Sequence, residues 1–238
     1  MEWIDFIYAA LAICGGAVIQ TLTGVGTGFL VVPIIALIDM ELLPGPMVMA
    51  SMALSGIMAW RGRHHIDYKN VGAILIGIVP GAMLGATILS RVSLEYMGIV
   101  FGIVILIGVL LSSLSLHIPL NRSTGFIAGT AAGTMGASTG IGAPVLAILY
   151  QNASGPMIRA TLALLYTVAS ALILLVLAAF GEFDADGVVD AFLLMPGFIT
   201  GYFASQHLTA RLDAAGIRWA VLAVAGIAAL FLIGRSLF

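Results

Sequence analysis

Long apolar stretches separated by short polar punctuation make up this chain. The first, Phe6 to Ile38, holds 33 residues and no charge, whereas about 20 apolar residues suffice for one membrane crossing. Asp39-Met40-Glu41 and Pro44-Gly45-Pro46 close it. A second covers roughly Met47 to Trp60 and is followed by Arg61-Gly62-Arg63-His64-His65-Ile66-Asp67. The third spans about Val71 to Leu89, and Arg91 to Glu95 separate it from a fourth that reaches Leu116. Beyond His117 to Ser123 lies a fifth, Thr124 to Tyr150. The sixth, about Pro156 to Phe180, gives way to Glu182, Asp184, Asp186 and Asp190. The seventh runs about Val188 to His207, and Arg211 to Arg218 lead into the eighth, which ends near Ile233. Segments of this length and apolarity predict membrane-spanning α-helices.

Two of the stretches do not read as single straight helices. The first carries Gly15, Gly16, Gly24, Gly26, Gly28 and Pro33, a density of helix breakers that predicts two shorter helices joined by a glycine turn inside the membrane. The turn falls at Thr23-Gly24-Val25-Gly26-Thr27-Gly28. The fifth stretch has a second copy, Thr139-Gly140-Ile141-Gly142-Ala143-Pro144. Two further blocks match in the same order. Gly45 to Leu54 aligns with Gly155 to Leu164, and Pro80 to Gly85 aligns with Pro196 to Gly201. Three ordered matches predict an internal duplication, with residues 1–120 as the first transmembrane repeat and 121–238 as the second, within one membrane domain.

Charge then chooses between two topologies. Eight simple crossings put Arg61, Arg63, Lys69, Arg122 and Arg235 on one side and Arg91, Arg159, Arg211 and Arg218 on the other, which orients nothing. Suppose instead that the two glycine-rich stretches are hairpins that enter and leave on the same face. Then Arg61, Arg63, Lys69, Arg122, Arg159, Arg211 and Arg218 share one side, against Arg91 and Arg235. That asymmetry is what the positive-inside rule describes. Most acidic residues, among them Asp39, Glu41, Glu182 and Asp184, fall on the poorly basic side. The expected fold is therefore an all-α polytopic membrane protein built from two inverted-topology repeats. Each is a re-entrant, broken helical hairpin plus three transmembrane helices, and both termini lie outside the cytoplasm.

Composition narrows the function. The chain is 61% hydrophobic and 8% charged, where a soluble domain carries about 25% charged residues. A net charge of −2 without a basic cluster argues against nucleic acid. The lone cysteine, Cys14, excludes an internal disulfide and argues against a Cys-based metal site; it reads as a small packed hydrophobe. Met1-Glu2-Trp3 lacks the basic start of a cleaved signal peptide, so the first stretch is expected to stay in the mature protein. His64 and His65 sit among solvated basic residues, and His117 and His207 near helix ends. No metal, cofactor or enzymatic constellation is expected.

The predicted chemistry lies at the two turns. A helix starting near Gly26-Thr27-Gly28, and another near Gly142-Ala143-Pro144, would present unpaired N–H groups and a partial positive charge, which together hold anions. Glycines admit a ligand close to that backbone, and Pro144 suits a first helical turn. The candidate substrate-binding residues are Gln20, Thr23, Gly24, Gly26, Thr27 and Gly28 at the first turn. At the second they are Ser138, Thr139, Gly140, Gly142, Ala143 and Pro144. Arg159 is a weaker candidate, drawing anions towards the cytoplasmic mouth. Gly81, Gly85, Gly197 and Gly201 read as helix-packing glycines instead.

Gly15 to Pro33 and Thr139 to Pro144 resemble the two signatures of the sulfite exporter TauE/SafE family, and the duplicated layout is similar along essentially the whole chain. The resemblance implies transport of sulfite, organosulfonates or related small anions across the cytoplasmic membrane of a prokaryote. The expected partners are a small anionic substrate and the lipid bilayer, and a homodimer is compatible with the sequence. The resulting expectation is a secondary transporter, an exporter in its simplest form, with the anion at the midplane between the glycine-rich tips. An anion-selective channel, or a membrane scaffold or enzyme subunit without transport, are the alternatives.

Overall fold

The computed structural model describes residues 3–24, 28–114, 118–208 and 214–237. Val25, Gly26, Thr27, His117, Arg211 and Asp213 therefore lie outside the described residues. Ten α-helices and no strand are found among those described. They are α1 (Trp3–Thr23), α2 (Gly28–Ile38), α3 (Gly45–Gly62), α4 (Val71–Arg91), α5 (Leu94–Ser113), α6 (Arg122–Thr139), α7 (Ala143–Tyr150), α8 (Gly155–Phe180), α9 (Ala185–Leu208) and α10 (Ala214–Leu237). The first and fifth apolar stretches are each broken in two, at the expected turns, and three helices follow each broken pair.

Capping explains the boundaries that differ from the sequence reading. The α9 helix starts at Ala185, earlier than the apolar run, because the Asp184 carboxylate accepts a 3.0 Å hydrogen bond from the Gly187 amide. At α6 the Asn121 side chain and Thr124 cap each other reciprocally, so the helix begins at Arg122. Beyond Gly62, residues Arg63–His65 continue α3 as a 3₁₀ turn.

Among the described residues, five helices are long and apolar enough to cross a bilayer: α4, α5, α8, α9 and α10. Their outer faces carry large apolar side chains such as Ile76, Leu175 and Ile227, each about two-thirds exposed at 67%, 69% and 70%. Lipid is the environment in which such a surface is stable. The less apolar α3 lies inside, packed on α8 and α9. Its Ser51 and Ser55 lower its hydropathy, and they face a central cavity rather than the exterior.

Helix packing follows a regular scheme. The α4 helix lies against α6, as α9 lies against α1; α3 packs on α9, as α8 packs on α4; α2 meets α10, as α7 meets α5. The pairs α3–α8 and α5–α10 complete it. Small residues set the closest approaches. Methyl groups placed on Gly77, Gly81 and Gly85 of α4 would strike the carbonyls of Phe126, Thr130 and Thr134 on α6. Gly129 and Gly133 meet the Ile74 and Ile78 carbonyls in return. On the α1–α9 face, a methyl on Gly201 would lie 2.6 Å from Ala17 Cβ, and one on Gly197 would lie 3.3 Å from the Ala10 carbonyl.

These contacts predict a sharp contrast between two glycines. Gly129→Leu forces a side chain into the α4 backbone and should cost at least ~3 kcal/mol, the upper end of ordinary overpacking. Gly226 has nothing within 4 Å of the added carbon, so Gly226→Ala should be neutral or stabilise by up to ~1 kcal/mol. Thermal unfolding in detergent, followed by size-exclusion chromatography, compares the two directly.

Candidate functional site

Both breaks are built on the same local device. At the end of α1 the Gly24 amide donates to the Gln20 carbonyl at 2.8 Å, and Gly24 has φ +75°. At the end of α6 the Gly140 amide donates to the Gly136 carbonyl, also at 2.8 Å, with φ +80°. A left-handed residue lets the chain leave the helix while one of its last carbonyls stays paired, and glycine adopts it without steric cost. After the second break Pro144 occupies the first turn of α7, where no N–H bond is required.

The two breaks meet. A methyl placed on Gly28, the first residue of α2, would lie 3.0 Å from Ile141 Cγ1 and 3.4 Å from the Gly140 carbonyl. The junction borders a partly open cavity of about 70 Å³, several times the ~10–15 Å³ a single water occupies by the same measure. Of the residues predicted from sequence, Gln20, Gly28, Gly140, Gly142 and Ala143 line it. Gly26 and Thr27 lie outside the described residues.

The remaining candidates stand behind the cavity wall. Thr23 and Thr139 donate their hydroxyls to the Ile19 and Met135 carbonyls of their own helices, each at 2.8 Å, and Ser138 donates to Thr134 at 2.8 Å. Thr139 also accepts from the Ile141 amide at 3.3 Å, which holds the turn. Pro144 packs outward against α5, 3.1 Å from a methyl placed on Gly108. Arg159 lies beside the first break: a methyl on Gly24 would be 3.0 Å from its Cγ and 3.3 Å from its Cα. Its Nη1 folds back to within 3.3 Å of a methyl on Gly155.

Four polar cavity residues were not among the sequence candidates. Ser51 and Ser55 come from α3, Tyr166 and Ser170 from α8. Each pair is spaced i, i+4, so both members face the same way; that spacing, inside an apolar run, was the available signal. Gln20 Nε2 donates to Ser55 Oγ at 3.1 Å, and both side chains are buried. The Tyr166 hydroxyl donates to the Gly24 carbonyl at 3.4 Å and so ties the cavity wall to the first break. Ser170 is 9% exposed and, among the described residues, its hydroxyl has no hydrogen-bond partner. Serines and threonines inside helices usually bond back to a carbonyl one turn earlier, as Thr167 does to Ala163. Ile78, Ile141, Leu146 and Ile173 form the apolar part of the lining.

An apolar-clad helical body, with two helix breaks joined at a small polar cavity, defines a polytopic membrane protein of the kind that handles a small solute. The sequence places it more closely. The profile of the family described as "Sulfite exporter TauE/SafE" matches residues 8–232, and the chain belongs to that family of membrane transporters. It is 31% identical over 195 residues to a "Probable sulfite/organosulfonate exporter TauE" of Cupriavidus necator, a match covering 76% of this chain and 75% of the relative. No solved structure matches it.

The caps predict an ordering of substitutions. Gly140→Ala has neighbours no nearer than 3.8 Å and should pay only the left-handed cost of ~1–2 kcal/mol. Gly24→Ala meets the Arg159 backbone as well and should be clearly less stable. Equal melting temperatures for the two variants would contradict the geometry.

Proposed function

We propose that this protein is a secondary transporter that exports sulfite, an organosulfonate or a related small anion, held in the cavity between the two breaks. The observation that carries the reading is the meeting of the starts of α2 and α7 at one cavity with the free Ser170 hydroxyl in its wall. Helix starts offer N–H groups and a partial positive charge to an anion. Ser170 and Ser55 add hydroxyl donors. The export direction and sulfur chemistry follow the family and the relative's description.

The alternating-access mechanism rests on an inverted repeat of residues 1–120 and 121–238. Its support is the packing scheme: exchanging α1–α5 with α6–α10 maps α3–α8 and α5–α10 onto themselves and turns each other pair named above into an observed pair. The cavity is lined from the middle of α3 and α8, at Ser55 and Ser170, as a midplane site requires. The family and its bacterial relative support a prokaryotic cytoplasmic membrane, and the charge pattern supports both termini outside. Gly62, after Arg61, packs on Ala160, next to Arg159, and Gly125, after Arg122, packs on Ile74, which brings basic segments to one end. Gly45, after Asp39 and Glu41, packs on Phe183, next to Glu182 and Asp184, at the other.

Reconstituted protein preloaded with unlabelled sulfite should show counterflow of labelled sulfite, which a channel does not produce and a scaffold lacks altogether. Ser170→Ala should raise KM about five- to tenfold by the loss of one hydrogen bond to the anion, ~1–1.5 kcal/mol, and Tyr166→Phe should raise it by releasing the first break from the cavity wall. Unchanged kinetics in both would remove the cavity from the proposal. In a Cys14→Ser background, cysteines at Glu41 and Asp186 should label from outside and one at His65 from the cytoplasm. Labelling of Glu41 and His65 from the same face would refute the topology.

A further inference from the structure

The cavity wall mixes polar and apolar side chains and is uncharged among the described residues. Gln20, Ser51, Ser55, Tyr166 and Ser170 supply its polar side chains, and no Asp, Glu, Lys, Arg or His lines it among the described residues. Val25, Gly26 and Thr27, which lie between α1 and α2 in the sequence, carry no charge either. Arg159 packs its Cα and Cγ on Gly24 and turns its guanidinium back towards Gly155. It can attract an anion at a distance, but its guanidinium is not part of the wall.

From this we infer that the cavity takes singly charged anions and rejects doubly charged ones of the same size and shape. The inference rests on the transport reading above and specifies its substrate. The cost of moving an ion out of water grows with the square of its charge, so a dianion loses about four times the hydration energy of a monoanion. The wall has no cation to offset the difference. What it does offer is matched to one charge: each helix start is equivalent to roughly half a positive charge, and the starts of α2 and α7 together to about one. The free Ser170 hydroxyl and the donor hydrogen of Ser55 complete the coordination.

For sulfite the consequence is that the bound species is hydrogensulfite. The proton rides on the anion itself, one negative charge crosses per molecule, and the proton is released when hydrogensulfite dissociates on the far side. No carboxylate in the wall is needed to carry it. Around the cavity, α1, α3, α4, α6 and α7 present no titratable lining side chain among the described residues, and α8 presents only Tyr166. Tyr150 lies at the far end of α7 and Arg159 beside Gly24.

Methanesulfonate and sulfate separate charge from shape, because one carries a methyl where the other carries a second charged oxygen. In proteoliposomes containing the full-length protein, labelled sulfite counterflow is measured with each as competitor. Methanesulfonate should compete, with sulfate at least about tenfold weaker. The apparent KM for total sulfite should fall as pH is lowered through neutrality, while inhibition by methanesulfonate, which does not titrate there, stays constant. Sulfate competing as well as methanesulfonate, or a KM for total sulfite that ignores pH, would overturn the inference while leaving transport intact. Absence of any sulfite or sulfonate flux would instead bring down the transport reading and this inference with it. Ser170→Ala should weaken methanesulfonate about tenfold without improving sulfate; a variant that improved sulfate would count against the charge argument.

Discussion

A chain that breaks its helices inside a membrane must still satisfy the backbone groups the break sets free. Hydrocarbon offers no partner, and each unpaired N–H or carbonyl left there costs several kcal/mol. Much of this structure follows from that requirement. Gly24 and Gly140 return their amides to the helices they leave, at 2.8 Å in both cases. The Tyr166 hydroxyl takes up the Gly24 carbonyl, and Thr139 takes up the Ile141 amide. Among the described residues, Gly24 is buried against Arg159 of α8 and Gly28 against Gly140 and Ile141 of the second break, so that this backbone faces protein rather than lipid. The cavity and the paired breaks are thus one solution to one problem.

Enclosure at this depth needs tight walls. Glycine stripes provide them, since α4 and α6 approach until backbone touches backbone. Without a hydrophobic effect to drive helices together in lipid, such close contact is the main source of cohesion. The glycines therefore divide into two roles that composition alone does not distinguish. Gly77, Gly81, Gly85, Gly129 and Gly133 exist for lack of a side chain, whereas Gly24 and Gly140 exist for their left-handed backbone.

Periodicity and punctuation were enough to locate the helices, because apolar runs and polar interruptions respond to the bilayer itself. The breaks were legible for the same reason: Thr23 to Gly28 and Thr139 to Pro144 put glycine and proline where a long helix would not tolerate them. Within the site the record divides by chemistry. Gly28, Gly140 and Gly142, chosen as backbone positions, reach the cavity. The hydroxyls chosen for nearness to the breaks, Thr23, Ser138 and Thr139, bond to their own helices instead. Ser55, Tyr166 and Ser170 had only their i, i+4 spacings to Ser51 and to each other to mark them, because a hydroxyl in an apolar helix is usually satisfied one turn back. Only the packing of α3 on α8 decides which ones face inward.

Gly108 on α5 holds a position whose mechanical meaning differs from any of these. A methyl there would lie 2.8 Å from Phe29 Cε1 of α2 and 3.1 Å from Pro144 Cγ of α7. The two short helices thus rest on a single bearing, from opposite halves of the chain. Close-packed interiors do not stretch to fill gaps, so sliding one short helix off that seat leaves a void unless the other follows. Movement of either short helix would thereby disturb the seat of the other, with no ligand bridging them.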